Sequence, residues 1–211
     1  MNNKKVWMHG TSKHFSEWNL SSRKLPHKSG IQSHNAIFFT SSKEYALGAA
    51  DGSKGLCSAE LLDGANVIDM NCCSFSDSER YRAQAAKKRL GHKNPQVTFP
   101  QYWHQGWKSG SIMKYASSNE TEAKIMQHKA NLAINAKHTS EGAAAFNELQ
   151  ILTRNVIEEL ETSAREIGYD AVIGSEVDTL HPTGPKTYEI MFVLNKEVIT
   201  KPSWISVPNH G

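Results

Sequence analysis

A single carboxylate near the C-terminus, that of Glu189, lies in a sequence context where a side chain could take part in chemistry. Residues 188–194, Tyr-Glu-Ile-Met-Phe-Val-Leu, follow a Pro/Gly loop and are rich in β-branched and aromatic residues, which predicts a strand. Alternation along a strand puts Glu189 on the face of Met191 and Val193. A carboxylate on an apolar face is unfavourable unless it is paired or used. Glu189 is therefore either a strand-end residue bonded to a neighbouring lysine or backbone N–H, or a catalytic group.

A second candidate group lies near the N-terminus. Residues 5–9 predict a short strand that runs into Gly10 and Thr11, where backbone can approach a ligand closely. His9 shares a face of this strand with Trp7. A lone histidine in such a position is usually a hydrogen-bonded residue of the core or its rim. His9 by itself therefore does not predict a site.

A strand followed by a capped helix completes the N-terminal pattern. Residues 35–40, Asn-Ala-Ile-Phe-Phe-Thr, predict a strand, and residues 41–50 predict a helix capped by Ser41 or Ser42. The polar residues 12–29 before them are typical of a mobile surface loop that carries positive charge. The cations of this loop include Arg23, Lys24 and Lys28.

The order of these motifs resembles that of the ADP-ribosyltransferase superfamily. It is most similar to the His–Tyr–Glu branch, which includes diphtheria-type toxins and the poly-ADP-ribose polymerases. Residues 7–12, Trp-Met-His-Gly-Thr-Ser, match the H-G-(S/T) of its first strand, and residues 36–41, Ala-Ile-Phe-Phe-Thr-Ser, match its Y-F-(A/T/S) pair before a helix. Residues 188–193 match its late strand, which a glutamate opens. The resemblance runs from Val6 to about Ile199 and leaves the middle of the chain unmatched.

The fold that this resemblance implies is α+β, with an ADP-ribosyltransferase-like split β-sheet core and flanking helices. A chain of 211 residues suits one domain, 1–211, with residues 74–117 as an insertion. No apolar run approaches the roughly 20 residues of a membrane span, and no secretory signal is visible. The three cysteines lack paired spacing, which favours reduced thiols in a cytoplasm.

The chemistry that the resemblance implies breaks the nicotinamide–ribose bond of NAD, which serves as substrate. Positive charge develops on the ribose, and a fixed carboxylate stabilises that charge, as in glycoside hydrolysis. By resemblance, Glu189 would hold the ribose 2′-hydroxyl and orient the acceptor. His9 would bond the adenosine ribose, and the backbone of Gly10, beside Thr11 in the same motif, would clamp the nicotinamide amide.

The aromatic members of the implied site depart in part from the family pattern. Phe38 occupies the middle position, where the family usually has tyrosine, so it keeps a stacking surface and loses the hydroxyl. Tyr45 is either the second face of a nicotinamide sandwich or an ordinary core aromatic. One of the loop cations, Arg23 among them, would meet the pyrophosphate. No metal is expected, because the histidines lack metal-ligand spacing.

The insertion has an unusual charge pattern. From Arg80 to Lys114 there are eight Lys or Arg residues and no Asp or Glu, with aromatic residues between them. This composition is typical of a surface that binds phosphates and stacks bases. The alternative is that the aromatics pack on the core while the charges are solvated. The candidate nucleic-acid contacts are Arg82, Lys88, Arg89, Trp103 and Trp107.

The other elements are predicted to be scaffold. Ser140 is expected to cap the longest helix, and Gly168 is expected to end it in a left-handed conformation. The predicted strands are 56–62 and 65–69, which flank a turn, and 171–173; the predicted helices are 118–137 and 141–167.

Taken with the resemblance, these features predict transfer of ADP-ribose from NAD to a macromolecule, with nucleic acid, RNA or DNA, favoured over protein. Arginine is a poor candidate acceptor, because arginine-modifying toxins carry Gln or Glu where this chain has Thr187. The resemblance also implies a toxin or phage-defence role, with an antitoxin or inhibitor protein as a partner. Two alternatives stay open: NAD hydrolysis with water as acceptor, and a catalytically silent nucleic-acid-binding domain.

Overall fold

A computed structural model of the protein describes most of the sheet and three helices. The residues described are 5–11, 13–20, 35–48, 55–72, 77, 80, 120–136, 138–178, 183–184 and 186–205. In chain order the elements are β1 (Val6–Thr11), β2 (Ile37–Thr40), α1 (Lys43–Gly48), β3 (Gly55–Glu60), β4 (Val67–Asp69), α2 (Glu120–Asn135), α3 (Ser140–Ile167), β5 (Ala171–Asp178), β6 (Lys186–Val193), a 3-10 turn (Lys196–Val198) and β7 (Ser203–Ile205).

The seven described strands form one open sheet in the order β4-β5-β6-β2-β1-β3-β7. All neighbouring strands are antiparallel except β4 and β5, which are parallel. The predicted α+β class is therefore confirmed. The strand that carries Glu189 and the strand that carries His9 lie on either side of β2.

The sheet opens between β1 and β2. Strand β1 pairs with β3 along its whole length, Val6 to Thr11, whereas its register with β2 consists of the pair Met8 and Thr40. Beyond that pair, residues 9–11 and 37–39 face each other without a ladder. Backbone groups at such an edge must find other partners. We call this stretch, where β1 and β2 have no register pair beyond Met8 and Thr40, the opening; the His-Gly-Thr motif borders it on one side.

The larger core covers one face of the sheet. Trp7 is 1% exposed and packs in a buried cluster with Ile37, Phe39 and Met191. Trp18, from the segment 13–20, completes this cluster at 6% exposure, and its indole Nε1 donates to the carbonyl oxygen of Thr200 at 2.8 Å. Trp18 is therefore part of the core, and Phe15 and Leu20 pack against it, although the sequence predicts a mobile loop there.

The long helix α3 begins and ends at local signals. Its N-cap is Thr139, whose Oγ1 accepts a hydrogen bond from the backbone N–H of Gly142 at 3.0 Å. The prediction that Ser140 is the cap was wrong by one residue. Gly168 ends the helix at φ 97°, as predicted, because a glycine enters the left-handed region without strain. No helix among the described residues is long and apolar enough to cross a bilayer.

The strands β3 and β4 flank the turn at Gly64, where φ is 89°, close to the predicted boundaries. They do not pair with each other. Strand β3 pairs with β1 and β7, whereas β4 pairs in parallel with β5 at the other end of the sheet. Strand β5 is longer than predicted and ends at Asp178.

Candidate active site

Glu189 lies on β6, the strand next to β2. Its side chain projects from the face of Met191, as the alternation predicts, because Met191 is opposite the core residue Phe39. Its backbone oxygen accepts two hydrogen bonds, from Thr40 Oγ1 at 2.8 Å and from the N–H of Ser41 at 3.3 Å. The end of β2 is therefore tied to the residue proposed for the chemistry.

The carboxylate of Glu189 forms an ion pair with the ammonium group of Lys5. The two side chains are 26% and 50% exposed, respectively, so the pair lies at the surface. The same ammonium lies 4.8 Å from the ring centroid of Trp7. A lysine partner is what the structural interpretation of Glu189 predicts, but the exposure of the pair leaves the carboxylate accessible to a ligand.

His9 lies on β1 among aromatic rings. The centroid of its imidazole is 6.1 Å from that of Phe15, 5.6 Å from that of Trp18 and 5.8 Å from that of Phe39. Burial lowers the pKa of His9 below 6.5, and this effect outweighs the opposing effect of a hydrogen bond to the carbonyl of Phe38. The imidazole is therefore neutral near pH 7.

The hydrogen bond of His9 crosses the opening in the sheet. Its Nδ1 is 2.7 Å from the carbonyl oxygen of Phe38, so Nδ1 carries the proton and donates it. In a neutral imidazole this leaves Nε2 as an acceptor. His9 can consequently accept a hydrogen bond from a ligand hydroxyl, which is the group that a ribose presents.

His9 and Glu189 lie on the same face of the sheet, but strand β2 separates the strands that carry them. The aligned register of Met8, Thr40 and Ile190 puts His9 two residues further along the strand direction than Glu189 and two strands away. On ordinary strand spacings their Cα atoms are roughly 12 Å apart. A ligand that contacts both side chains must bridge the strands β1 and β6.

The side chain of Phe38 does not join this group. Its neighbours in sequence, Ile37 and Phe39, pack in the core on the His9 face, and the ring of Phe38 lies on the other face, 6.0 Å from that of Phe192. Phe38 takes part through its carbonyl oxygen alone. The aromatic ring that β2 presents to His9 is Phe39, which the sequence interpretation missed although strand alternation could have identified it.

Tyr45 also lies on the face opposite Glu189. Its backbone N–H donates to Ser42 Oγ at 3.2 Å, so Ser42 is the cap of α1, as one of the two predicted alternatives. Its ring stacks on that of Tyr188, with centroids 4.4 Å apart and an interplanar angle of 21°. Because Tyr188 is buried, these contacts fit the interpretation of Tyr45 as a core aromatic.

The segment 13–20 closes the far side of the His9 environment. Trp204, on the edge strand β7, donates from Nε1 to the carbonyl oxygen of Phe15 at 2.9 Å and stacks on His14 at 4.1 Å. A Cβ at Gly55 would lie 2.9 Å from the carbonyl oxygen of Thr11 and 3.1 Å from the Trp204 ring. Sequence reasoning missed this packing, and the closely spaced aromatics Phe15 and Trp18 were the available signal.

The glycine and threonine of the first motif lie at the opening. Gly10 pairs with Leu56 of β3, so the edge of β1 at this position faces residues 37–39. Thr11 pairs with Gly55, and its Oγ1 accepts from the N–H of Lys13 at 3.2 Å.

The residues predicted to contact nucleic acid or pyrophosphate lie outside the described residues. Of the segment 74–117 the structure describes Asp77 and Arg80, and Arg80 donates to the hydroxyl of Tyr169 at 3.1 Å. Among the described residues, no group of His, Cys, Asp and Glu could hold a metal ion. The candidates outside the described residues are Arg23, Arg82, Lys88, Arg89, Trp103 and Trp107.

Comparisons of the chain with protein-family models, with curated proteins and with solved structures found no match.

Proposed function

We propose that the protein transfers ADP-ribose from NAD to nucleic acid, RNA or DNA, on an ADP-ribosyltransferase-like fold, with release of nicotinamide. The observation that carries this proposal is the opening of the sheet beyond the pair Met8 and Thr40. One edge of the opening holds His9 and Gly10. The other edge is the aromatic strand β2, whose end is hydrogen-bonded to Glu189.

In the proposed reaction, the bond between the ribose carbon and the nicotinamide nitrogen breaks, and its electron pair leaves with nicotinamide. Glu189 offsets the positive charge that develops on the ribose, and an acceptor oxygen or nitrogen then bonds to that carbon and releases its proton to solvent water. The accessible carboxylate, on the face that carries the buried core cluster, supports this role.

The placement of His9 and Glu189 on one face of the sheet supports a dinucleotide as substrate. The two riboses of NAD are separated by a pyrophosphate, and the Cα atoms of the two residues are roughly 12 Å apart on ordinary strand spacings. In the proposed complex, His9 Nε2 accepts from a hydroxyl of the adenosine ribose. The backbone at Gly10 meets the nicotinamide amide at the opening.

The aromatic contacts of nicotinamide require a change from the family pattern. Because the rings of Phe38 and Tyr45 lie on the opposite face, we assign Phe38 the role of fixing the His9 ring through its carbonyl oxygen. The preference for a nucleic-acid acceptor rests on the composition of the basic insertion. The loop cation Arg23 remains our candidate for the pyrophosphate on the same sequence grounds.

A second candidate function is a catalytically silent nucleic-acid-binding domain. Two observations favour it: His9 is enclosed by three aromatic rings, and Glu189 is paired with Lys5. Both polar groups then serve the fold, and the basic insertion alone would carry the function.

The test is incubation with NAD labelled in its adenylate part, together with separate pools of RNA, DNA and protein. We expect label on one nucleic-acid pool and its loss in the Glu189→Gln variant. Glu148→Gln is the matched control, because Glu148 is an exposed carboxylate paired with Lys129 on the helices. Label on protein would identify a protein acceptor, and free ADP-ribose alone would identify water. No consumption of NAD, combined with salt-sensitive RNA binding, would favour the silent domain.

A further inference from the structure

We propose that Lys5 is a phosphate-binding residue, which rests on Glu189 in the absence of ligand and exchanges that carboxylate for a phosphate group of a substrate. This inference extends the proposed function by naming the chemistry that Lys5 recognises beside Glu189. Lys5 precedes β1, and neither its charge nor its place in the sequence marked it as a site residue.

The position of Lys5 is set by the first strand. Lys5 is two residues before Trp7 and so lies on its face, which is also the face of Glu189. Trp7 is 1% exposed and therefore fixed, and the ammonium group lies over its ring at 4.8 Å from the centroid. An attractive cation–π contact holds the charge at the rim of the site.

The partner of Lys5 is open to exchange. The lysine side chain is 50% exposed and that of Glu189 is 26% exposed, and ion pairs with such exposure contribute little to stability. A phosphate group offers more negative charge and more acceptor oxygens than a carboxylate does. It can therefore compete for the ammonium group without any rearrangement of the core.

The exchange has a consequence for the proposed chemistry. While the ammonium group is bound to Glu189, its positive charge offsets the field that the carboxylate exerts on a nearby sugar carbon. When a phosphate group binds Lys5 instead, the carboxylate of Glu189 is unpaired and can stabilise the developing cation. The phosphate has two available sources, the pyrophosphate of NAD and the phosphodiester groups of a nucleic-acid acceptor.

Binding measurements test the inference without reference to turnover. Inorganic pyrophosphate and a short single-stranded RNA would each be titrated into the wild-type chain and four variants at low salt. Lys5→Gln should weaken the binding of at least one probe about three- to fivefold, and Glu189→Gln should strengthen the same binding by a similar factor. Lys129→Gln and Glu148→Gln, which disrupt an exposed ion pair on the helices, should leave both affinities unchanged.

The opposite signs of these effects make the outcome decisive. Weaker pyrophosphate binding in Lys5→Gln would identify the cofactor as the source of the phosphate, and weaker RNA binding would identify the acceptor. If Lys5→Gln binds both probes as the wild type does, or if Glu189→Gln and Glu148→Gln strengthen binding equally, Lys5 is not a phosphate site. NAD turnover is scored separately: an inactive wild type with these opposed affinities would overturn the transferase and retain the lysine site.

Discussion

His9 and Glu189 lie on the same face of one sheet, yet their surroundings differ. The imidazole of His9 packs against Phe15, Trp18 and Phe39, and burial lowers its pKa. The carboxylate of Glu189 is accessible and holds a surface ion pair with Lys5. The first environment stabilises the fold, whereas the second can change partner. The difference predicts which substitutions affect stability and which affect activity.

The largest effect on stability is expected at the enclosed end. Trp18→Ala removes a buried indole and its hydrogen bond to Thr200, so the free energy of unfolding should fall by about 3–5 kcal/mol. Urea unfolding followed by circular dichroism measures it, with the exposed neighbour Glu17→Ala as control. A loss below about 1 kcal/mol would mean that Trp18 is not part of the core.

The largest effect on activity is expected at the open end. Glu189→Gln should reduce NAD turnover by about a hundredfold or more, because it removes the charge that stabilises the ribose cation. Its free energy of unfolding should change by less than about 1 kcal/mol, because the lost ion pair is exposed. Steady-state kinetics and urea unfolding of the same preparation measure both. Equal turnover in Glu189→Gln and the wild type would remove Glu189 from the mechanism.

A smaller effect is expected where β3 begins. Gly55→Ala would bring a Cβ to 2.9 Å from the carbonyl oxygen of Thr11, and the shift needed to relieve it should destabilise the protein by about 1–3 kcal/mol. Gly48→Ala is the control, since a Cβ there meets nothing within 4 Å and alanine favours the helix. Thermal unfolding of both variants should give shifts of opposite sign. Equal shifts would contradict the close packing of β1, β3 and Trp204.

The smallest effect is the pH dependence that His9 contributes. Its pKa is lowered in the folded state, so the unfolded chain takes up a proton below about pH 6.5 while the folded chain resists it. Stability is therefore fully present above pH 6.5 and falls at lower pH, with a slope of at most about 1.4 kcal/mol per pH unit. His9→Phe should flatten this slope between pH 7 and 5 in urea unfolding. His14→Gln, which changes an exposed ring, should retain it, and an unchanged slope in His9→Phe would show that burial of His9 is not its cause.

Local rules account for what the sequence predicts correctly. Alternation along a strand is a local property, so Glu189 was assigned to the face of Met191 and His9 to the face of Trp7. The left-handed end of α3 follows from Gly168 alone. A lysine is one of the two partners that the structural interpretation of Glu189 offers, but that interpretation does not point to Lys5, which is distant in sequence.

Relations between distant segments account for what the sequence does not predict. The ring of Phe38 matches a family motif, but its face is set by the register of β2 with β1 and β6. The burial of Trp18 depends on Thr200, far along the chain. The place of β4 depends on pairing with β5. Each of these three features depends on a contact between residues far apart in sequence, and no local sequence pattern identifies the partner.

The parallel strands β4 and β5 are adjacent in the sheet but far apart in the sequence. The two strands are neighbours in the sheet, yet about a hundred residues lie between Asp69 and Ala171, among them the basic segment and both long helices. The entropy of closing such an excursion grows only logarithmically with its length. A change in the length of this excursion therefore costs little closure entropy, while the strands around Glu189 keep their register. Under the proposed function, the segment that selects the acceptor could thereby change in length without disturbing the strands that hold the proposed catalytic carboxylate.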